Sequence, residues 1–576
     1  MTDPRPWHAS YAPGVPISLE PYPNASVYSL LQNAVAGFPK RPALAFFGAK
    51  MSYEALLGEV ERFSAVLASL GVHAGDRVGL ILPNCPEYVI AWYACQRIGA
   101  VAVGNNPLYT ERETEHQLKD AGVRVVVVLD QIYKGFGNVR DRVGVDEVIV
   151  TRLNHYMPAP IKWLAPLKFR SEAKKHGTPL PFVPADHKVR WWADVMRTTG
   201  PVPPAADIAD PANTSAAFIY TGGTTGVAKG AMLSHRNLVA NAMQASAWFP
   251  VVRPGEDGIL GSVPFFHSFG TLAMNFSMLK AAKLVLLPRF DIDMVLKAIA
   301  KEKPSLFPGV PRMYIALNES PKTPKYDLRA LKACVTGAAP LPLAVARRFE
   351  EITGGAKVVE GYGMTECSPV THANPLVDER KEGTIGLPLP DTDCKIVDPE
   401  RPDDIVAQGE RGELCVKGPQ VMLGYWNRPD ETQLTIRNGW IHTGDVAVMD
   451  ETGFFFIVDR LKDMIVVSGF NVYPTEVEEV LFRHPKISKC SVVGVPDDKT
   501  GERVKAFIVL KEGESSTAEE IIEWCRDPAS GLTRYRVPHE IEFRDSLPET
   551  LIGKVLRRVL QEEERQKAAQ AATPTP

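Results

Sequence analysis

Tyr220-Thr-Gly-Gly-Thr-Thr-Gly-Val-Ala-Lys229-Gly230 decides the reading of this chain, because that composition makes little sense except around phosphate. Residues 216–220 before it form a short apolar run that reads as a buried strand. The stretch then offers Gly222, Gly223 and Gly226, the hydroxyls of Thr221, Thr224 and Thr225, and the ammonium of Lys229. Glycines let consecutive backbone N–H groups approach an anion closely, and hydroxyls and a cation complete the cage. A Walker-type P-loop needs Gly-x-x-x-x-Gly-Lys-Ser/Thr opening directly into a helix. Here two residues separate Gly226 from Lys229, and Gly230 follows in place of Ser or Thr. The Walker reading fails.

Further motifs follow in order. They are Thr336-Gly-Ala-Ala-Pro340, Glu360-Gly-Tyr-Gly-Met-Thr-Glu366, Trp440-Ile-His-Thr-Gly-Asp445, Asp459-Arg-Leu-Lys-Asp463, Ser468-Gly-Phe-Asn-Val-Tyr-Pro474 and Gly553-Lys554. Taken singly, each has an ordinary reading: Asp445 as a turn residue, Glu366 as a solvated carboxylate, Lys554 as surface charge. Together they resemble the adenylate-forming superfamily of acyl-CoA synthetases, luciferases and peptide-synthetase adenylation domains, over nearly the whole chain. The superfamily more often has Ser where Gly223 stands and Pro where Ala228 stands. The form present here is similar to bacterial long-chain fatty acid–CoA ligases.

The resemblance implies roles. Thr221, Gly222, Gly223, Thr224, Thr225, Gly226 and Lys229 would hold the β- and γ-phosphates of ATP. Gly337, Ala338 and Ala339 would border adenine, with Glu360, Gly361, Tyr362 and Gly363 supplying an aromatic face beside it. Thr365 would meet the α-phosphate, and Glu366 would hold Mg²⁺ as a hard oxygen ligand. Asp445 and Arg460 would contact ribose, and Lys462 would be the hinge. Gly469 would border the coenzyme A path, and Lys554 would be the catalytic lysine of adenylation. His267, in Pro264-Phe-Phe-His267, matches the substrate-side histidine, with a buried core histidine as the alternative. Glu549 stands where the family usually has Lys, which removes a local positive charge.

The implied reaction joins a fatty acid to ATP as acyl-AMP with loss of pyrophosphate, then passes the acyl group to coenzyme A. Residues 269–279 contain no charge, and each buried methylene contributes about 0.8 kcal/mol, which favours an alkyl tunnel. The alternatives are an aryl- or medium-chain CoA ligase, a fatty acyl-AMP ligase, and a non-catalytic nucleotide-binding module.

The fold expectation is α/β: a large, multi-layer N-terminal domain with mainly parallel sheets (residues 1–459) and a small, mobile α+β C-terminal lid (460–576). With 576 residues and 45% hydrophobic content, the chain exceeds the roughly 250–300 residues at which single cores stop growing. Residues 52–70 carry apolar positions at helical spacing. Val-rich runs at 77–82, 101–103 and 123–129 alternate with helices at 87–98 and 111–121, the mark of βα layers. Thr517 and Glu520 read as a capping box.

A net charge of -3 gives no support for nucleic acid. Eight scattered cysteines, without Cys-x-x-Cys, point away from structural zinc and towards a reducing compartment. The proline-rich first 24 residues do not read as a signal peptide, and a cytoplasmic protein is expected. Residues 157–211 mix tryptophans with lysines and arginines, so peripheral contact with the inner face of the membrane stands against a solvated insertion. The oligomeric state stays open, a homodimer being one alternative.

Overall fold

The computed structural model describes residues 5–167, 180–197, 200–221, 228–376, 381–497, 499–549 and 555–572, with side chains to residue 567. Strands Arg77–Ile81, Val101–Gly104 and Val125–Leu129, buried along almost their whole length, pair in parallel. Helices Pro86–Ile98 and Glu111–Ala121 alternate with them along the chain. Local signals set the boundaries. Thr110 and Glu113 form a capping box at one helix start, and Gly122 adopts a left-handed φ of 62° at its end. Helix Tyr53–Ser69 starts on Ser52, whose hydroxyl accepts from the Ala55 N–H, and it buries Leu56, Val60, Phe63 and Leu67.

Among the described residues the strands form four sheets. A nine-stranded sheet has a parallel centre and antiparallel pairing at both edges, and an eight-stranded sheet is parallel except at one edge. Helices Tyr28–Gly37, Tyr53–Ser69, Pro86–Ile98, His235–Trp248 and Ser268–Leu279 share one apolar cluster with strands of both sheets. Every residue of Pro86–Ile98 is buried, which is why that helix has no polar face. Separate clusters pack Ile292–Glu302, Pro311–Glu319 and Leu343–Thr353 on the nine-stranded sheet, and Glu111–Ala121 and Tyr133–Val143 on the eight-stranded one. The layers run helix, sheet, helix, sheet, helix.

A third sheet was not foreseen. Asp393–Val397, Gly412–Lys417, Trp440–Met449, Ile436–Arg437 and Phe455–Arg460 pair only antiparallel. It carries the segments around Asp445 and Arg460, where motif reading had eclipsed strand alternation.

The fourth sheet belongs to the C-terminal part. Ile465–Val467, Phe470–Val472, Ile487–Asp497, Gly501–Leu510 and Glu540–Phe543 pack with helices Pro474–Phe482 and Ala518–Arg526 around their own core. No apolar cluster among the described residues joins it to the layers before Phe455. The capping box at Thr517 is half formed. The Thr517 hydroxyl accepts from the Glu520 N–H, but the Glu520 carboxylate turns to Lys486 and Ser516, each at 2.8 Å. An ammonium gives a carboxylate a stronger, charge-assisted bond than a backbone N–H does.

The aromatic, basic segment divides. Trp192 is buried and stacks on Phe63, and Trp191 lies under Arg152. Trp163 is 72% exposed and Phe182 76%, alongside exposed Ile161, Leu164, Leu167 and Leu180. Residues 168–179, with half of the segment's lysines and arginines, lie outside the described residues.

Candidate active site

The phosphate-type stretch joins two strands rather than a strand and a helix. Ser215–Tyr220 and Gly230–Ser234 form an antiparallel pair closed by the Thr221 N–H donating to the Lys229 carbonyl at 2.9 Å. That disposes of the Walker geometry structurally as well. Gly222, Gly223, Thr224, Thr225 and Gly226 lie outside the described residues; Thr221 and Lys229 flank them. The hairpin base is braced from beneath. The Tyr220 hydroxyl donates to Asp120 at 2.7 Å, and Arg428 donates to the other Asp120 oxygen at 3.0 Å.

Two candidate groups meet on one ring. The Tyr425 hydroxyl donates to Glu366 Oε1 at 2.6 Å, and Lys229 Nζ stands 4.6 Å from the centre of the same ring. Tyr425 is brought there because strand Gly424–Tyr425 adds to the free edge of Gly230–Ser234. The Glu366 carboxylate is buried, and its Oε2 has no hydrogen-bond partner among the described residues. A hard carboxylate oxygen held by a neighbouring phenol, with the second oxygen uncommitted, is the donor type that would hold a divalent ion. Thr365 lies next to it, its hydroxyl 3.5 Å from that of Ser268.

Asp445 is 3% exposed, and both its oxygens are engaged. Arg460 Nε contacts Oδ1 at 2.6 Å, and the Tyr362 hydroxyl donates to Oδ2. Asp445 and Arg460 face each other across an antiparallel strand pair, so sheet register rather than chance makes the contact. A carboxylate has about four acceptor sites, so each oxygen keeps capacity for a ligand hydroxyl. Burial and the Asp445 charge push the Tyr362 phenol well above its ordinary range. It therefore stays a donor. Burial pushes the Glu360 carboxyl up to about 7.

The turn at 337–339 is tight. Ala338 takes a left-handed φ of 71°, uncommon for alanine. Gly337 ends beside the Gly361 carbonyl, where an added Cβ would sit at 3.2 Å. At Gly363 an added Cβ would come within 1.9 Å of the Pro369 carbonyl oxygen, so no side chain fits. Ala339 is half-buried beside them.

His267 caps the uncharged helix Ser268–Leu279, its Nδ1 accepting from the Phe269 N–H at 3.2 Å. Burial pushes its imidazole down to about 4, so it is neutral near pH 7. Only Nε2 is then left to face a substrate.

On the lid side, Ser468 and Gly469, both with positive φ, form the two-residue turn between Ile465–Val467 and Phe470–Val472. Burial draws the Lys462 ammonium down to about 8. Lys554 lies outside the described residues; Glu549 and Val555 pair on either side of 550–554. Glu549 takes Lys489 as its partner, so its charge is neutralised locally.

Sequence reasoning missed three groups. Tyr425, which binds Glu366, carries no motif of its own. Arg557 contacts Asp459 at 2.9 Å, Asp463 at 3.4 Å and Glu478 at 2.6 Å, tying the last helix to the segment around Lys462. Glu413, one sheet position away, accepts from the Gly444 N–H at 3.0 Å and steadies the turn before Asp445.

The hairpin around residues 220–230, the Glu366–Tyr425–Lys229 centre and the buried Asp445 carry the residue types expected of a nucleotide-activating enzyme. The chain belongs to the AMP-binding enzyme family: that family's profile matches residues 31–426, and the profile of the AMP-binding enzyme C-terminal domain matches 476–554. A long-chain-fatty-acid–CoA ligase of Bacillus subtilis is 43% identical, covering 98% of this chain and 99% of its own. One of Escherichia coli is 39% identical, covering 97% and 98%. ATP-bound MatB from Rhodopseudomonas palustris is 29% identical and superposes with a TM-score of 0.80, covering 94% of this chain and 99% of its own. Apo MatB, equally identical and equally covered, gives 0.71.

Proposed function

We propose that this protein is an AMP-forming long-chain fatty acid–CoA ligase. The observation that carries the reading is the junction of Ser268 and Thr365. It joins the start of an uncharged, buried helix to the motif of the nucleotide centre. A carboxylate is a poor electrophile because its leaving group would be oxide. Its oxygen therefore attacks the α-phosphorus of ATP, pyrophosphate leaves, and a mixed anhydride forms. The thiol of coenzyme A then attacks the acyl carbon, loses its proton to solvent and expels AMP.

The first step gathers anions, so preorganised donors dominate the catalysis. Lys229, with Thr221, Thr224 and Thr225, holds the leaving pyrophosphate. Asp445, fixed by Tyr362 and Arg460, orients the ribose, and Tyr362 offers its face to adenine. Glu366, with Oε1 taken by Tyr425, fits a Mg²⁺ ion, which when bound would neutralise phosphate charge. Lys554 bridges the two reacting anions. Neutral His267 lines the acyl carboxylate without adding charge. The two domains, 1–459 and 460–576, meet at a hinge at Lys462. The better superposition on ATP-bound than on apo MatB supports a lid orientation suited to the nucleotide step.

The test is a pyrophosphate-release and thioester assay over acids from acetate to stearate, with benzoate and cinnamate. The specificity constant is expected to climb by up to about fourfold per added methylene until the tunnel fills. A flat profile, or a preference for the aromatic acids, rejects the alkyl assignment.

The exposed apolar group at Ile161, Trp163, Leu164, Leu167, Leu180 and Phe182, within a basic stretch of sequence, supports a peripheral contact with anionic lipid at the inner membrane face. A membrane-dissolved substrate gives that contact a use. No helix among the described residues is long and apolar enough to cross a membrane.

A further inference from the structure

Glu413 and Cys415 stand two apart on strand Gly412–Lys417, so their side chains share one face of the sheet. His442, on the neighbouring strand Trp440–Met449, is the direct partner of Cys415. His442 Nδ1 lies 2.7 Å from Glu413 Oε2 and 3.4 Å from Cys415 Sγ. One oxygen, one nitrogen and one sulfur thus lie within 4.8 Å of one another, and all three residues are buried. No second such group of His, Cys, Asp or Glu occurs among the described residues. Nδ1 carries at most one proton, yet two lone-pair atoms face it. Protons alone serve such a convergence poorly, whereas a cation serves all three donors at once.

We infer that Glu413, Cys415 and His442 form a site for a thiophilic divalent cation, with zinc the best-matched ion. A thiolate and a carboxylate supply two negative charges, and thiolate with imidazole is the pairing soft and borderline metals select. Tetrahedral zinc bonds place neighbouring donors about 3.3–3.6 Å apart. The Cys415–His442 separation already matches, and Glu413 need withdraw by only about half an ångström. The fourth position is left to water, as in open zinc sites. Burial and the Glu413 charge hold the metal-free Cys415 thiol up to about 12, against the opposing pull of Lys395 and Arg437. Binding therefore releases a proton to solvent and strengthens as pH rises.

The site has a consequence for the nucleotide. Glu413 also receives the Gly444 N–H at 3.0 Å, and Gly444, with a φ of 70°, precedes Asp445. Drawing Glu413 towards a cation pulls on that turn and weakens ATP binding. This consequence rests on Asp445 as the ribose ligand; the site itself does not.

The experiment titrates metal-free protein with Co²⁺, an optical stand-in for zinc. One equivalent is expected to give a near-ultraviolet thiolate-to-cobalt band that Zn²⁺ displaces. Cys415→Ser should abolish the band. Cys394→Ser should keep it, because the Cys394–His372 pair, also at 3.4 Å, has no carboxylate in its cluster. Both variants should fold and adenylate like the parent. With excess Mg²⁺ and no coenzyme A, whose thiol would sequester zinc, Zn²⁺ should raise the KM for ATP at least fivefold in the parent and in Cys394→Ser, but not in Cys415→Ser. Absence of the band, or its survival in Cys415→Ser, overturns the proposal. A Cys415-dependent band with an unmoved KM upholds the site and rejects its link to the ribose turn.

Discussion

Asp445 shows how a residue acquires its role from its neighbours. Its carboxylate is buried, where a polar group without hydrogen-bond partners is costly, and Arg460 and Tyr362 supply them. In the proposed function, a ribose arriving there would meet an acceptor already fixed in position. Replacing Asp445 with Ala should weaken ATP binding at least tenfold while the sheet persists, because Arg460 is half-exposed and can turn to water. Calorimetry that finds unchanged ATP affinity would dismiss Asp445 as a ribose ligand. Tyr425→Phe is the more discriminating change. It deletes one charge-assisted hydrogen bond to Glu366, worth about 1.5–3 kcal/mol. It is expected to raise the Mg²⁺ concentration needed for half-maximal adenylation about tenfold and to leave the fatty acid KM alone. An unaltered Mg²⁺ dependence would separate Tyr425 from the metal centre. At this scale Glu366, Asp445 and Arg460 were legible because each sits in a quotable string. Tyr425 was not, since strand addition at a sheet edge brings it to Glu366 from 59 residues away.

The elements that matter are the hinge segment and the last helix. Arg557, at the start of helix Arg557–Ala572, reaches Asp459 before the hinge and Glu478 beyond it. In the proposed mechanism Lys554, three residues upstream in sequence, acts on the α-phosphate in one of two lid orientations. Lys554→Ala should therefore slow adenylation by about 10²–10³, the loss of one preorganised charge at the transition state. Synthetic acyl-adenylate with coenzyme A should still give thioester at close to the parental rate. Equal losses in both half-reactions, with intact circular dichroism, would refute a lid that works in two orientations. Helices and parallel strands of the N-terminal layers were readable from apolar spacing and turn signals, as the helix start at Ser52 illustrates. The antiparallel sheet bearing Asp445 was not. Asn438-Gly439 marks one local hairpin, but the central pairing joins segments up to 35 residues apart, as Gly412 with Ala447, and no single stretch encodes it.

For the molecule as a whole, the exposed tryptophan, phenylalanine and leucines of residues 161–182 bear on where the enzyme works. The protein is expected to sediment with vesicles of phosphatidylglycerol and phosphatidylcholine, and to do so less as salt rises. Trp163→Ser with Phe182→Ser should reduce the bound fraction several-fold while activity on soluble acyl substrate stays unchanged. Equal sedimentation of parent and variant would remove the membrane role. By itself the sequence determined the family, the order of the motifs and the α/β class, because these rest on local composition and short spacing. Only the tertiary structure decided which charges meet. Lys229 and Glu366 on the Tyr425 ring, Asp445 with Arg460, and Glu413 with Cys415 and His442 are all set by sheet edges and strand register. Pairing between distant strands is fixed when whole apolar faces are buried together, and no single stretch of chain contains that information.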